Sequence, residues 1–271
     1  MDPTEFARLL DCFNLRAEGY RKVRRGVQKR IVRHMQELRC PAMKDYLARI
    51  DADRDAEDEA RRLMDVSISR FFRDEPLWRA LEAEVIPLLI AEYPTGLRVW
   101  SAGCALGQEA YSIAILRALL SEKTPAMPPV EVWATDVNPA YLERAIKGVY
   151  PARAVAPVPG EARTRFFQPA GKGIVRVADE LRQGIRWQLQ DLTADSPPAR
   201  GFHLVFLRNN LLTYYRKEIV EAALPVIVDS IAPGGFLVIG RKERLPGFLE
   251  GFDPHLAVPF LCRKRQTGGL A

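Results

Sequence analysis

Apolar positions recur every three or four residues through the first third of this chain. Val23, Val27, Ile31, Met35 and Leu38 mark one face of a helix within residues 21–39. Pro41 restarts the chain, and "AMKDYLARI" carries a further short amphipathic set. The acidic run "DADRDAEDEA" then leads into "RRLMDVSISRFFRD". Pro76 marks a helix start, and "LWRALEAEVIPLLIAEY" continues it with an apolar stripe and an expected kink at Pro87. Residues 1–93 are therefore expected to form a helical N-terminal domain. After "PTG" the rhythm changes. "LRVWSAG", "VEVWATD", "IRWQLQDL", "FHLVFLRNN", "GGFLVIG" and "AVPFLCRKR" read as strands, with helical patterns after the first, second and fourth. Alternating strands and helices predict an α/β domain over residues 94–271 with a doubly wound, mostly parallel sheet. Its last two strands are expected to close it as an antiparallel pair. Residues 151–184, with prolines, glycines and short β-prone pieces, interrupt the pattern.

Composition supports a folded chain. At 271 residues it is long enough for a large domain and a smaller one, and 48% apolar residues can fill a core. The 27% charged residues and the lack of low-complexity tracts argue against disorder. The start, "MDPTEFARLL", is charged and has no apolar signal core, and no apolar run approaches the roughly 18 residues of a membrane span. The expectation is a soluble, cytoplasmic protein without membrane insertion. Cys12, Cys40, Cys104 and Cys262 form no CxxC pair and read as reduced core thiols. His34, His203 and His255 lie far apart, so no metal site is expected.

The net charge of +6 is uneven. "RKVRRGVQKRIVRHMQELR", residues 21–39, sets a dense row of arginine and lysine opposite the apolar face. Two readings stand: a solvated helix face, or a docking face for something acidic. Nucleic acid is the weaker candidate, because no aromatic residues alternate with these cations.

The candidate chemistry gathers where strands end. "VWSAGCALGQEAYSIAILRALL", residues 99–120, runs from buried strand through Gly103 and Gly107 into a helix with Glu109 in its first turn. Ligands of open α/β sheets bind at the carboxyl ends of strands, which brings this loop together with Asp136 and Asp191. The loop is GxxxG rather than GxGxxG, and Asp136 follows Gly103 by 33 residues, against about 20 in the nicotinamide fingerprint. A carboxylate at a helix start repels a pyrophosphate and suits a cation. S-adenosylmethionine carries an ammonium and a sulfonium and no phosphate. Gly103 and Gly107 would let the backbone approach it, Glu109 would face its positive end, and Asp136 would accept from its ribose hydroxyls.

Four stretches together resemble the chemotaxis receptor methyltransferase family, the CheR type, over nearly the full length. They are "SISRFFRD", "WSAGCALGQEAYSIA", "ATDVNPAYLERAIKGVY" and "FLRNNLLTYY", with "PGGFLVIGRKE" as a later match. The resemblance implies a class I methyltransferase fold with a helical N-terminal domain and a small inserted β-subdomain, here residues 151–184. It implies S-adenosyl-L-methionine as cofactor and methyl transfer to glutamate side chains of chemoreceptors. Carried over residue by residue, it makes Ser67, Ser69, Arg73, Gly103, Glu109, Asp136, Asp191, Leu192, Arg208 and Asn209 the cofactor-binding set. Arg73 and Tyr214 become the catalytic candidates, with Arg73 holding the acceptor carboxylate.

The sequence also departs from the family pattern. Thr213 stands where the family has the tyrosine placed near the substrate, with Tyr214 beside it. Ser67 and Asp191 each replace an asparagine, Gln108 and Ala110 replace the Glu and Pro that flank the retained Glu109, and Lys242 replaces a late serine. Four readings remain open on the sequence alone: a protein-glutamate methyltransferase that meets a chemoreceptor or other acidic acceptor through residues 21–39, a methyltransferase for another acceptor, a cofactor-sensing interaction module and, suggested only by the basic helix, a nucleic-acid methyltransferase.

Overall fold

A computed structural model describes residues 1–266, so the last five residues of the expected 94–271 domain lie outside it. The chain forms two compact units. One contains Met1–Ser67 and Asn210–Glu221, the other Ile68–Asn209 and the chain from Ala222 onward.

The first unit is helical. Asp2 caps Pro3–Cys12 in a reciprocal box with Glu5, and Asp53 caps Arg54–Met64 through the backbone N–H groups of Asp55 and Ala56. Between them lie helices Ala17–Tyr20, Arg24–Glu37 and Met43–Ala52. Phe6, Leu9, Leu10, Val27, Ile31, Tyr46 and Met64 fill the core. The short helix Leu211–Tyr214 joins this unit from far along the sequence. Arg16 N–H donates to the Tyr214 carbonyl at 2.8 Å, Arg16 Nε donates to the Thr213 carbonyl at 2.8 Å, and Leu15 bridges Tyr215. Gly19 makes this possible, since a Cβ there would lie 2.4 Å from the Thr213 oxygen.

The second unit is built on seven strands. They are β1 (Leu97–Ala102), β2 (Val130–Asp136), β6 (Ile185–Leu189), β7 (Phe202–Leu207), β8 (Ile231–Ile239), β9 (Phe252–Pro254) and β10 (Leu261–Lys264). Their order is β6-β2-β1-β7-β8-β10-β9. The first five run parallel, and β10 pairs antiparallel with β8, Leu261 opposite Val238. The expected antiparallel closing pair is therefore present, and β9 adds an edge strand to it. Trp100 of β1 stacks on Phe202 at 5.2 Å, and its Nε1 donates to Thr135 Oγ1 at 2.9 Å, tying β1 to β2 inside the core.

Helix Glu75–Glu92 belongs to this unit. Leu77, Trp78, Leu81 and Leu89 of its stripe are buried, and Trp78 stacks on Phe206 at 5.8 Å. The compact units thus divide at 67/68 rather than at 93/94, where helix gives way to strand. Proline 87 has no N–H to continue an α-helical ladder. The helix meets it with one π turn, Leu81–Val85, and an Ile86 N–H to Leu81 carbonyl bond. Within residues 149–177, β3 (Val149–Pro151), β5 (Ile174–Val177) and β4 (Phe167–Gly171) form a separate antiparallel sheet in that spatial order.

Candidate functional site: the carboxyl ends of β1, β2 and β7

Beyond β1 the chain turns left-handed at Gly103, φ 79°. The N–H groups of Gly103 and Cys104 both donate to the Thr135 carbonyl, at 2.9 and 2.8 Å. Ala105 N–H donates to Asp136 Oδ2 at 2.8 Å, and Asn138 N–H to Asp136 Oδ1 at 2.9 Å. Asp136 thereby clamps the loop after β1 to the end of β2. Burial pushes its pKa above the ordinary 3.8, against the pull of its backbone N–H partners. Each of its oxygens keeps a further lone pair for a ligand hydroxyl. Three amides of the loop are committed inside the fold, which is the opposite of a phosphate cradle.

Gly107, φ 84°, starts helix Gln108–Lys123. A Cβ on it would lie 2.8 Å from Ala145 Cβ and 3.0 Å from the Trp187 ring. The bareness of Gly107 therefore serves the packing of the loop on the next helix, a role beyond the expected opening of the backbone to a ligand.

Glu109 stands in the first turn of that helix, as expected, and it is not alone. Its Oε1 accepts from buried Ser101 Oγ at 2.8 Å, and its Oε2 accepts from Arg208 Nη1 at 3.1 Å. The Arg208 side chain, 4% exposed, also donates from Nη2 to Asp74 Oδ2. Asp74 Oδ2 lies 3.8 Å from Arg73 Nε, and Arg73 Nη1 donates to the Ile68 carbonyl at 3.0 Å. Arg73, Asp74, Arg208 and Glu109 thus form one chain of alternating charge. Arg73's pKa lies below its ordinary value, chiefly through burial and then through Arg208, while Asp74 and Glu109 oppose the shift.

Asn209 follows Arg208 in a left-handed conformation, φ 56°. Glu243 holds it, its Oε2 accepting from the N–H groups of Asn209 at 3.1 Å and Gly240 at 2.5 Å. A Cβ on Gly240 would collide with the Asn209 amide. Among the described residues, Asn209 Oδ1 and Arg208 Nε are buried without a hydrogen-bond partner. A bound water or a ligand atom is the ordinary partner for buried polar atoms of this kind.

The remaining candidates divide. Asp191 accepts from Thr193 N–H at 2.8 Å and Thr193 Oγ1 at 2.6 Å, so one of its oxygens shapes its own turn, and Leu192 beside it is half-buried. Ser69 is half-buried in the second unit. Ser67 and Tyr214 belong to the helical unit. The Ser67 hydroxyl is buried without a partner among the described residues, and the Tyr214 ring packs edge-on against Tyr20 at 5.1 Å. No group of three or more metal-binding side chains occurs among the described residues. Asp74, Ser101 and Glu243 stand outside the candidate set read from the sequence, although each sits inside a stretch that carries the resemblance.

Residues 67–255, more than half of the chain, match the family model described as "CheR methyltransferase, SAM binding domain". The chain belongs to the CheR methyltransferase family. It is 32% identical over 219 residues to the chemotaxis protein methyltransferase of Listeria innocua, covering 81% of each chain. It is 28% identical over 234 residues to that of Vibrio parahaemolyticus, covering 84% of this chain and 83% of the other. It is also 35% identical over 229 residues to an uncharacterized 104.1 kDa protein of Rhodobacter capsulatus, of which it spans 24%.

S-adenosylmethionine is the cofactor of this family domain, and the donor set suits it. Glu109 and Asp136 would offer carboxylate oxygens to its ammonium and hydroxyls, and Asn209 Oδ1 would accept from it. Arg208 Nε, without a partner among the described residues, would be a donor for the cofactor's carboxylate.

Proposed function

We propose that this CheR-family chain transfers the methyl group of S-adenosylmethionine to glutamate carboxylates of a chemoreceptor-like protein, in the cytoplasm. The names of the Listeria and Vibrio relatives support the chemotaxis setting. The observation that carries the acceptor class is Arg73, about one-third exposed at the end of the Arg208–Asp74 ion chain. Its planar fork matches a carboxylate bidentately.

When bound, the cofactor supplies a methyl group activated by its sulfonium. The acceptor carboxylate, with a reference pKa of about 4.3, is already ionised at neutral pH and needs no general base. The protein's task is to orient one carboxylate oxygen and to exclude water, and orientation alone contributes several kcal/mol, up to about 7–11 in favourable cases. Arg73 supplies the orientation. Phe71, fully buried against Tyr150 and Phe167, fixes the backbone beside it. Tyr214, whose ring packs edge-on against Tyr20, is the second catalytic candidate beside Arg73.

The acceptor's approach is assigned to the basic helix. Arg25, Lys29 and Arg33 recur at four-residue spacing on its exposed side. The decisive experiment incubates the protein with methyl-labelled cofactor and receptor cytoplasmic fragments. Label released as methanol in mild base supports a glutamate ester, whereas base-stable label sinks it. A methyltransferase for another acceptor is the second reading, favoured by Thr213 at the family's tyrosine position.

A further inference from the structure

Asp74 occupies a position that its local chemistry does not explain. It is the N-cap of helix Glu75–Ala80, where an aspartate carboxylate ordinarily accepts from an N–H of the first helical turn. It makes no such bond. Its backbone is left-handed, φ 63° and ψ 71°, and Phe72 is left-handed too, φ 47°. Both conformations are unfavourable for residues with a Cβ. The turn is held from outside. Phe72 N–H donates to buried Ser112 Oγ at 2.9 Å, and Trp78 Nε1 donates to the Arg73 carbonyl at 2.9 Å. So held, Asp74 turns its carboxylate away from its own helix and onto Arg208, 134 residues distant in sequence.

The electrostatic consequence is specific. Arg73 and Arg208 are close enough to repel, and Asp74 touches both. With Glu109 the cluster sums to zero charge. Without Asp74 it becomes +1, in a partly buried setting where charges act more strongly than in water. The cofactor carries a fixed positive sulfonium. Its demethylated product, S-adenosylhomocysteine, carries a neutral thioether and is otherwise charged in the same way.

We propose that Asp74 is the counter-charge that lets Arg73 and Arg208 stand side by side at the edge of the cofactor site, and that its charge shifts the site's relative affinity toward the sulfonium cofactor and away from the thioether product. This rests on the cofactor assignment and is independent of which acceptor is methylated.

The test is calorimetric titration of S-adenosylmethionine and of S-adenosylhomocysteine into the wild type, Asp74→Asn and Asp74→Gly. Asparagine tolerates the left-handed backbone and glycine relaxes it, so at least one variant keeps the fold while both remove the charge. The expected result is a loss of about tenfold in affinity for S-adenosylmethionine and less than about threefold for the product, on the scale of a lost ionic contact. A structural role alone would weaken both ligands by the same factor. Equal losses, or no change in the ratio of the two affinities, overturn the proposal while leaving the cofactor assignment intact. A wild type that binds neither ligand overturns the assignment and the proposal together.

Discussion

Arg208 Nη1 donates to Glu109 Oε2 at 3.1 Å, joining the end of β7 to the helix that follows β1. The carboxylate expected to face a cofactor cation therefore has a guanidinium on one oxygen and a serine hydroxyl on the other. Glu109→Gln would put an amide N–H₂ against one of these donors. The expected outcome is a loss of cofactor affinity of about 1.5–3 kcal/mol, the range for a hydrogen bond to a charged group. Calorimetry with S-adenosylhomocysteine reads it directly. Unchanged affinity in a folded variant removes Glu109 from the site.

Gly107→Ala tests whether that glycine serves packing. The new Cβ meets Ala145 Cβ at 2.8 Å in a backbone with φ 84°. Strain and overpacking together should lower stability by about 2–4 kcal/mol. Urea unfolding measures it. Adding Ala145→Gly should recover part of the loss, since it removes the clash and leaves the left-handed strain. A double variant no more stable than the single one would point to the Trp187 contact instead.

Much of the fold is legible in the sequence because six strands are long enough to show apolar runs. β9, three residues ending in Pro254, carries no such signal. The unit boundary is less legible, since periodicity reveals that 75–92 is a helix but not which core its stripe enters. The return of Leu211–Tyr214 to the helical unit rests on Arg16 and backbone carbonyls, a pairing with no sequence signature. In the site, Glu109 and Asp136 were legible from their places after strands. The Asp74–Arg208 pair was not, because an ion pair across 134 residues leaves no local pattern.

His203 should make stability pH-dependent. Its Nδ1 accepts from Arg98 N–H at 2.9 Å, and burial, then Arg98, lowers its pKa below 6.5. The unfolded chain thus takes up a proton more readily than the folded one. This contribution is fully present above pH 6.5 and is lost as pH falls through the lowered native value. His203→Asn keeps an acceptor and removes the titration. The urea midpoint of the wild type, relative to that of the variant, should fall between pH 7 and pH 5. An equal difference at both pH values would rule out His203 as the source.

Charge reversal on the basic helix separates docking from folding. Arg30 is committed to the carbonyls of Leu63 and Asp65, and Arg24 lies over the Phe6 ring at 5.2 Å. Arg25, Lys29 and Arg33 are exposed, and among the described residues only Arg33 of the three has an ion-pair partner, Glu37 at 3.6 Å with both side chains in solvent. Reversing these three to Glu should slow methylation of an acidic acceptor by about 10–100-fold in kcat/KM at low salt. Cofactor affinity should not change. If it falls in step, the helix is structural, and if the wild type binds DNA with steep salt dependence, the nucleic-acid reading gains.

Arg73→Lys bears most directly on the chemistry. Lysine keeps the positive charge but has no fork, so it cannot hold both oxygens of an acceptor carboxylate in one plane. It also loses the Nη1 bond to the Ile68 carbonyl, which helps fix where the guanidinium lies. Asp74, Arg208 and Glu109 retain their mutual contacts in the variant, so the cofactor side should be little disturbed. Turnover with a confirmed acceptor should fall about 100-fold, on the scale of lost orientation, while affinity for S-adenosylhomocysteine stays within about threefold. Steady-state kinetics beside calorimetry separates the two. Near-normal turnover would mean that a point charge suffices at this position and that bidentate orientation is not how the acceptor is held. A parallel fall in cofactor affinity would instead make Arg73 a cofactor residue, and would leave the acceptor carboxylate to be held by some other side chain.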